Sequence, residues 1–490
     1  MLRSFLTDRS AAGVRSSKTA GTRPMVRIAA VAALALSAGI APATAADAGS
    51  GSAAGQAPKK VVSAYFADWD VYGRGYFVKD IPADKINVIQ YAFGVPGFDP
   101  ATGATSCSVL DPWADFQQVY WGGENSVDGV ADTYPGQNLY GNFNQLRKLK
   151  LAHPDLKVEI SLGGWTKSTH FSQVAATPER RASFVSACID TFIKGNLPTG
   201  GWPEDAGGLG AAAGIFDGID LDWEYPTAVA GGNEDVSPAD RHNATLLAQE
   251  FRKQLDAYGK TTGKHYLLTA AMPAAKNSTK YYELANFVKS LDWANIMSYD
   301  YNVTGGAVSA HDTLFTPDPR DPNGKDLTWN TAGTVGYYLA SGVPASKIVV
   351  GVPFYANQYI RNTGGLYTAF DNTGLDANVL AWDQTPQPSY HELVDNGAIV
   401  TAAGVGQNGY TRKWNLFAGE PYLWNPAAVH NLSDGTTITV PTTIVYSDPK
   451  SIGERAALIK LLGLRGAMAW ELSQDSNDHA LINALSPVLS

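Results

Sequence analysis

The sequence predicts a (β/α)8 TIM barrel, an α/β fold, with a small α+β domain inserted between its seventh and eighth strands. Three observations predict it. Eight short apolar runs alternate with helical patterns from residue 59 onward. Gly, aromatic or acidic residues follow nearly every run, as at Asp68-Trp69, Gly163-Gly164-Trp165, Glu224-Tyr225, Asp300-Tyr301 and Tyr355. Finally, the gap between the seventh and eighth runs is far longer than one crossover helix requires.

Taken in order, the chain opens on an address. Residues 28–41 are almost wholly Ala, Val, Leu, Ile and Gly, preceded by Arg23 and Arg27 and followed by Ala43-Thr44-Ala45-Ala46. Basic flank, short apolar centre and small-residue exit form a secretory signal pattern over 1–46, with Met25 a more compact start. The run is too short to span a bilayer comfortably. A polar Gly/Ala/Ser linker, 47–58, follows, and the mature chain is expected to be secreted, extracellular and off the membrane.

The catalytic domain is assigned to 59–490. Its strands fall at 61–66, 88–93, 157–162, 218–222, 266–271, 294–299, 348–353 and 467–471. Turn signals and short β-rich runs at 437–440 and 444–446 place the insertion at 356–443, and 451–462 supplies the last crossover helix.

Composition narrows the function. Hydrophobic residues make up 44% of the chain, enough for a large core. A net charge of −9 without a basic run excludes nucleic acid as the expected ligand. Twelve Trp and 23 Tyr exceed what packing demands and suit a groove that stacks sugar rings. Two cysteines are too few for a disulfide framework. Cys188 lies in an amphipathic run, so a buried free thiol is expected there, a bridge to Cys107 being the other reading. A monomer is expected.

The chemistry concentrates in Phe216-Asp217-Gly218-Ile219-Asp220-Leu221-Asp222-Trp223-Glu224-Tyr225. Asp220, Asp222 and Glu224 fall at alternate positions, so a strand points all three the same way. Crowded carboxyls cannot all ionise cheaply, so at least one should hold a proton near neutral pH, as a general acid must. Asp217 is out of phase and is assigned a structural role. No His or second acidic cluster stands at ligand spacing, so neither metal nor cofactor is expected.

The string Asp217-x-x-Asp220-x-Asp222-x-Glu224 resembles the signature of the family 18 glycoside hydrolases, the chitinases. Ser161-Leu162-Gly163-Gly164-Trp165, Met297-Ser298-Tyr299-Asp300 and Gly466-Ala467-Met468-Ala469-Trp470-Glu471 resemble that family's third-, sixth- and eighth-strand motifs. Ala64-Tyr65-Phe66-Ala67-Asp68-Trp69 and the insertion are similar to the bacterial subfamily with a deep cleft.

The resemblance implies cleavage of chitin and its oligosaccharides, with the substrate's own acetamido group as nucleophile. It implies Glu224 as acid and then base, Asp222 orienting the acetamido N–H, and Asp220 sharing a proton with Asp222. Tyr299 would donate to the acetamido oxygen, and Asp300 would hold a sugar hydroxyl and act on Glu224's acidity. Trp470 would floor the cleaved sugar, with Tyr225 and Met297 around it. Trp165 would stack on the leaving-group side and Trp69 on the other. Tyr65 and Tyr355, at strand ends, are assigned to the same sugar-binding surface. For Trp121 and Phe171, core packing is an equal reading.

The family's Tyr-Gly-Arg after strand seven reads Tyr355-Ala356-Asn357 here, so its arginine contact has no counterpart at Asn357. Two other functions fit the same barrel: an endo-β-N-acetylglucosaminidase acting on N-glycans, and a non-catalytic chitin-binding lectin. The linear aromatic groove argues against the first, and the retained acids argue against the second.

The export pattern predicts a mature protein that begins at Ala46 or Asp47. N-terminal sequencing of protein from culture medium checks this; residues 1–24 still attached would refute it.

Overall fold

Eight parallel strands close on themselves in a computed structural model that describes residues 57–490. The residues expected to form the export segment, and nearly all of the expected linker, lie outside these residues. The barrel strands are β1 (Val61–Ala67), β2 (Val88–Phe98), β4 (Lys157–Gly163), β5 (Gly218–Asp222), β6 (Leu267–Pro273), β7 (Trp293–Met297), β8 (Ile348–Pro353) and β13 (Gly466–Trp470). Pairing of β1 with both β2 and β13 closes the ring. All eight expected runs are strands: β5 and β8 have the expected bounds, β2 runs five residues further, and the others shift by one or two residues at one or both ends.

The crossovers are less regular than the strands. Helices α1 (Gly141–Ala152), α2 (Pro178–Cys188), α3 (Asp240–Thr262), α4 (Thr331–Ala340) and α5 (Pro449–Leu461) pack outside the ring. The link from β1 to β2 carries only two short 3₁₀ turns, at Asp68–Val71 and Val78–Asp80. Helix α5 starts where Asp448 accepts hydrogen bonds from the backbone N–H groups of Lys450 and Ser451, with Pro449 at its first position.

Alternation decides what fills the barrel. Val61, Val88, Leu267, Trp293, Val349 and Met468 form an inner apolar cluster that reaches up to Tyr65, Tyr299 and Trp470. The same parity brings Glu159, Asp220, Thr269 and Asn295 inside, where Thr269 Oγ1 contacts both Glu159 Oε1 (3.1 Å) and Asp220 Oδ1 (2.6 Å). The barrel interior is therefore apolar below and acidic towards its carboxyl end.

After β8 the chain leaves the ring and builds a four-stranded antiparallel sheet, ordered β10-β11-β12-β9, from β9 (Asn357–Ile360), β10 (Thr411–Asn415), β11 (Glu420–Asn431) and β12 (Thr437–Val445). The β-rich runs expected at 437–440 and 444–446 are one strand. Pro441 between them falls at the register shift, between the Thr442–Asn425 and Val440–Ala428 pairs, an irregular position that tolerates a missing N–H.

The barrel carries one further strand, β3 (Thr105–Val109), which folds back antiparallel on the outer half of β2. It corrects the reading of the cysteines: Cys107 on β3 is disulfide-bonded to Cys188 at the end of α2, with Cα atoms 4.9 Å apart. The hairpin lays Cys107 over the helix terminus, where Thr191 Oγ1 also donates to the Cys107 carbonyl (3.0 Å). Neither cysteine is free.

This bridge closes a loop of 81 residues. Replacing both cysteines by serine should destabilise the fold by about 2–4 kcal/mol, mainly by freeing the unfolded chain. Denaturant unfolding of the double variant checks this, and an unchanged midpoint would contradict it.

Candidate active site

At the carboxyl end of the barrel a cleft of about 1060 Å³ opens between the strand ends and the insertion. Strand β5 delivers the acids. Asp220 is fully buried, Asp222 is 4% exposed and Glu224, two residues past Asp222, is 8% exposed.

The backbone that carries them is clamped. Ser168 Oγ donates to the Asp222 carbonyl (3.1 Å) and accepts from the Glu224 N–H (3.0 Å), while Tyr282 Oη donates to the Trp223 carbonyl (2.6 Å). The two glycines after β4 make that approach possible. Both have positive φ, and a Cβ on Gly163 would stand 2.5 Å from the Asp222 carbonyl oxygen. A Cβ on Gly164 would meet the Phe93 ring at 2.6 Å.

Each acid has a different environment. Asp220 accepts from Tyr65 Oη (2.8 Å), Ser161 Oγ (2.8 Å), Thr269 Oγ1 (2.6 Å) and Asn295 Nδ2 (3.2 Å). Burial pushes its proton affinity up, and these four donors pull it back. With its lone-pair directions filled, Asp220 acts on Asp222 through charge.

Asp222 has no such support. Its Oδ1 is buried without a hydrogen-bond partner. Burial first, then the charges of Glu224 and Asp220, drive its carboxyl well above the usual range. Glu224 rises to about 7, chiefly through burial; the Tyr225 hydroxyl lowers it and the charge of Asp300 raises it.

Tyr299, Asp300 and Tyr355 stand on the β7 and β8 side. Tyr355 Oη donates to Asp300 Oδ1 (2.7 Å), and the Tyr299 and Tyr355 rings meet edge to face. The Tyr299 hydroxyl has only the Met468 sulfur, at 3.8 Å. Trp470 ends β13 between Tyr65 (5.1 Å between centroids) and Phe93 (6.0 Å, nearly parallel), and Trp69 continues the lane 6.0 Å beyond Phe93. Trp165 projects separately, 53% exposed.

Of the residues assigned from sequence, Glu224, Asp222, Tyr299, Met297, Asp300, Trp470, Trp165, Trp69, Tyr65 and Tyr355 all line this one cleft. Asp220 and Tyr225 stand behind it. Tyr225 stacks on Tyr281 (6.1 Å) while its hydroxyl reaches Glu224. Asp217 turns outward to Lys150 Nζ (2.6 Å).

Neither of the two lesser candidates lines the cleft. Phe171 is fully buried and stacks on Trp223 at 5.2 Å, so it is core. Trp121 joins Trp202 and Tyr134 in a surface cluster away from the cleft lining. Asn357 is also buried and holds Asn302 and Asp312 rather than facing the cleft.

Sequence reasoning missed three parts of the wall. Phe93 closes the second apolar run, and its place at a strand end was signal enough. Asp70 and Glu471 form a buried carboxyl pair beyond Trp470, each pushed up by burial. The insertion contributes Leu380, Trp382 and Gln387 from segments with no regular periodicity.

The arrangement offers a protonated acid, an acceptor and a donor with unfilled hydrogen-bonding capacity, and an aromatic floor. That set suits acid-catalysed cleavage of a sugar linkage.

Residues 61–475 match the profile of Glycosyl hydrolases family 18. The chain is similar to chitinase A1 of Niallia circulans, 36% identical over 458 residues, which covers 84% of this chain but only 56% of that protein's length. Endochitinase 1 of Metarhizium robertsii is 32% identical over 419 residues, covering 85% of this chain and 81% of that protein. The catalytic domain of psychrophilic chitinase B from Arthrobacter TAD20 superposes with a TM-score of 0.73 at 34% identity, covering 88% and 95% respectively.

The raised Glu224 carboxyl predicts a pH-dependent stability difference. Its ordinary value is 4.5 and its folded value about 7, so the cost of ionising it in place grows as pH rises through that window. Glu224→Gln should therefore gain stability over wild type by about 1–3 kcal/mol at pH 8, and much less at pH 4. Thermal melts at the two pH values check this; no gain at pH 8 would contradict it.

Proposed function

Because the chain belongs to glycosyl hydrolase family 18, we propose that it hydrolyses chitin, the β-1,4-linked polymer of N-acetylglucosamine, and its oligosaccharides. The mechanism is substrate-assisted and retains the anomeric configuration.

One observation carries this reading. The cleft holds a buried acceptor with no partner, Asp222 Oδ1, and a donor with only a thioether contact, the Tyr299 hydroxyl. Leaving a buried polar atom unsatisfied costs about 1–3 kcal/mol. An acetamido group presents one N–H and one C=O, the complement of that pair. Bound there, its N–H reaches Asp222, its oxygen accepts from Tyr299, and it is turned towards the anomeric carbon.

In the first step Glu224 gives its proton to the glycosidic oxygen. The acetamido oxygen attacks the anomeric carbon as the bond to the leaving sugar breaks, forming an oxazolinium ion. The negative charge left on Glu224, with that held by the four donors on Asp220, stabilises that cation. Glu224, now a carboxylate, takes a proton from water as the water attacks the same carbon from the side the leaving group vacated. The ring opens, Glu224 is again protonated, and two inversions cancel. Trp470 and Trp69, backed by the buried Tyr65 and Phe93 rings, stack the sugars on one side of the scissile bond, and Trp165 stacks the leaving side. The apolar segment after Met25 supports export, so the enzyme meets its insoluble polymer outside the cell.

With chitin hexasaccharide, Glu224→Gln should lose at least about a hundredfold in turnover. Proton NMR of fresh wild-type hydrolysate should show the β-anomer first, and fully deacetylated chitosan should be inert. An initial α-anomer, or brisk cleavage of the deacetylated polymer, would overturn the mechanism; cleavage of neither substrate would overturn the function.

A further inference from the structure

Asp300 carries an unusual burden. It faces the cleft, its charge acts on Glu224, and its backbone is left-handed, with φ of 53°. A non-glycine residue held there needs support from its surroundings. The support comes from a second carboxyl that no feature of the sequence drew attention to.

Asp312 is 3% exposed. Its Oδ1 accepts the Asp300 backbone N–H (3.2 Å) and the Asn357 amide Nδ2 (3.3 Å). Its own carbonyl accepts the Tyr301 N–H (2.9 Å). Its Oδ2 is buried with no donor, and its carboxyl stands within hydrogen-bonding reach of the Asp300 carboxyl. Two facing carboxyls, one of them buried, are stable only if a proton lies between them.

The surroundings decide which one keeps it. Asn357 is neutral and spent: it also donates to the Asn302 carbonyl (3.1 Å) and accepts from Gln387 Nε2 (3.2 Å). The neighbouring Arg455 is engaged by Glu420 (2.5 Å) and Thr313 Oγ1 (3.0 Å). The other titratable groups near Asp312 are the phenols of Tyr299, Tyr301, Tyr355 and Tyr359 and the carboxyl of Glu420, and burial keeps His311 neutral. No free cation among the described residues compensates a charge on Asp312, whereas Asp300 accepts from Tyr355 and opens to the cleft.

We propose that Asp312 is a positioning residue: a neutral acid whose proton on Oδ2 is donated to the Asp300 carboxylate, fixing that charge where it acts on Glu224. The proton satisfies both the orphaned oxygen and the carboxylate. Asn357 makes the device possible, because a cation at that position would ionise Asp312 and leave it nothing to donate. The inference rests on the proposed function for its consequence in catalysis; the arrangement itself rests on the Asp300 N–H bound by Asp312 Oδ1 and on the orphaned Asp312 Oδ2.

The test therefore reads Glu224 without substrate. With glutamate labelled at its carboxyl carbon, ¹³C NMR follows the Glu224 titration, assigned by its loss in Glu224→Gln. Asp312→Leu, of the same branched shape but larger and without a donor, should release Asp300 and lower the Glu224 midpoint by about one pH unit. Asp312→Asn retains an N–H donor and should restore the midpoint to within a few tenths of wild type. Thermal melts establish that each variant is folded; if Asp312→Leu is not, Asp312→Ala takes its place.

An unshifted midpoint in Asp312→Leu, or an equal fall in Asp312→Asn, would overturn the assignment. On chitin hexasaccharide the same ranking should appear in the alkaline limb of kcat/KM, with Asp312→Leu falling off at lower pH. Inactivity of the wild-type enzyme there would refute the substrate class while the NMR result still decides the role of Asp312.

Discussion

The withdrawal of carboxyl groups from water governs this molecule. Glu159, Asp220, Asp222 and Glu224 are withdrawn into the barrel or its carboxyl end, and burial is the largest influence on each. A carboxylate loses several kcal/mol of hydration in such a place, so the stack can persist only with fewer charges than acids. Protein donors satisfy Asp220, and nothing satisfies Asp222 Oδ1. The cost of the second arrangement is recovered only when a ligand supplies the missing hydrogen bond, which ties the fold's least comfortable atom to its chemistry.

The insertion must hold the far wall of the cleft without drifting. It does so through another buried acid, this one paired. Arg455 on α5 and Glu420 on β11 are both essentially inaccessible and lie 2.5 Å apart. Burial pushes Glu420 to about 8 while the guanidinium opposes that rise. Contact this short, with further hydrogen bonds from Arg455 to Thr313 Oγ1 and the Ser451 carbonyl, supports the ionised pair. Loss of either partner would leave a lone buried charge, so the pair fixes the sheet to the barrel more by the penalty of breaking it than by its net attraction.

How much of this was legible follows from how each part is encoded. The barrel strands were readable because burial on both faces demands continuous apolar runs, and their ends were readable because Gly, Trp and acids cluster there. β3 was not. Only Cys107 and Val109 of its five residues are buried, too few to establish a period. The disulfide was hidden with it, since two cysteines 81 residues apart do not announce their pairing. The insertion's share of the cleft, Leu380 and Trp382 among it, lies in segments shaped by tertiary contact. Asp312 was silent for the same reason: in sequence it is one polar residue in a loop, and only the fold sets it against Asp300.

The contrast between Asp217 and its neighbours shows how little separates a structural acid from a reactive one. Asp217 immediately precedes β5, and its side chain leaves the ring to accept from Lys150 Nζ at 2.6 Å and the Val158 N–H at 2.9 Å. Three residues later Asp220 points inward, and by the two-residue period Asp222 and Glu224 follow it. A one-residue slip would expose the three inner acids to helices and solvent and bring Ile219, Leu221 and Trp223 into the cleft. The chain guards against that slip from both sides. Gly163 leaves room for the Asp222 carbonyl and Gly218 leaves room for Leu267, where an added Cβ would come within 2.5 Å in each case. The two glycines thus permit the close approach that this register needs, and the register decides which carboxyls are denied water.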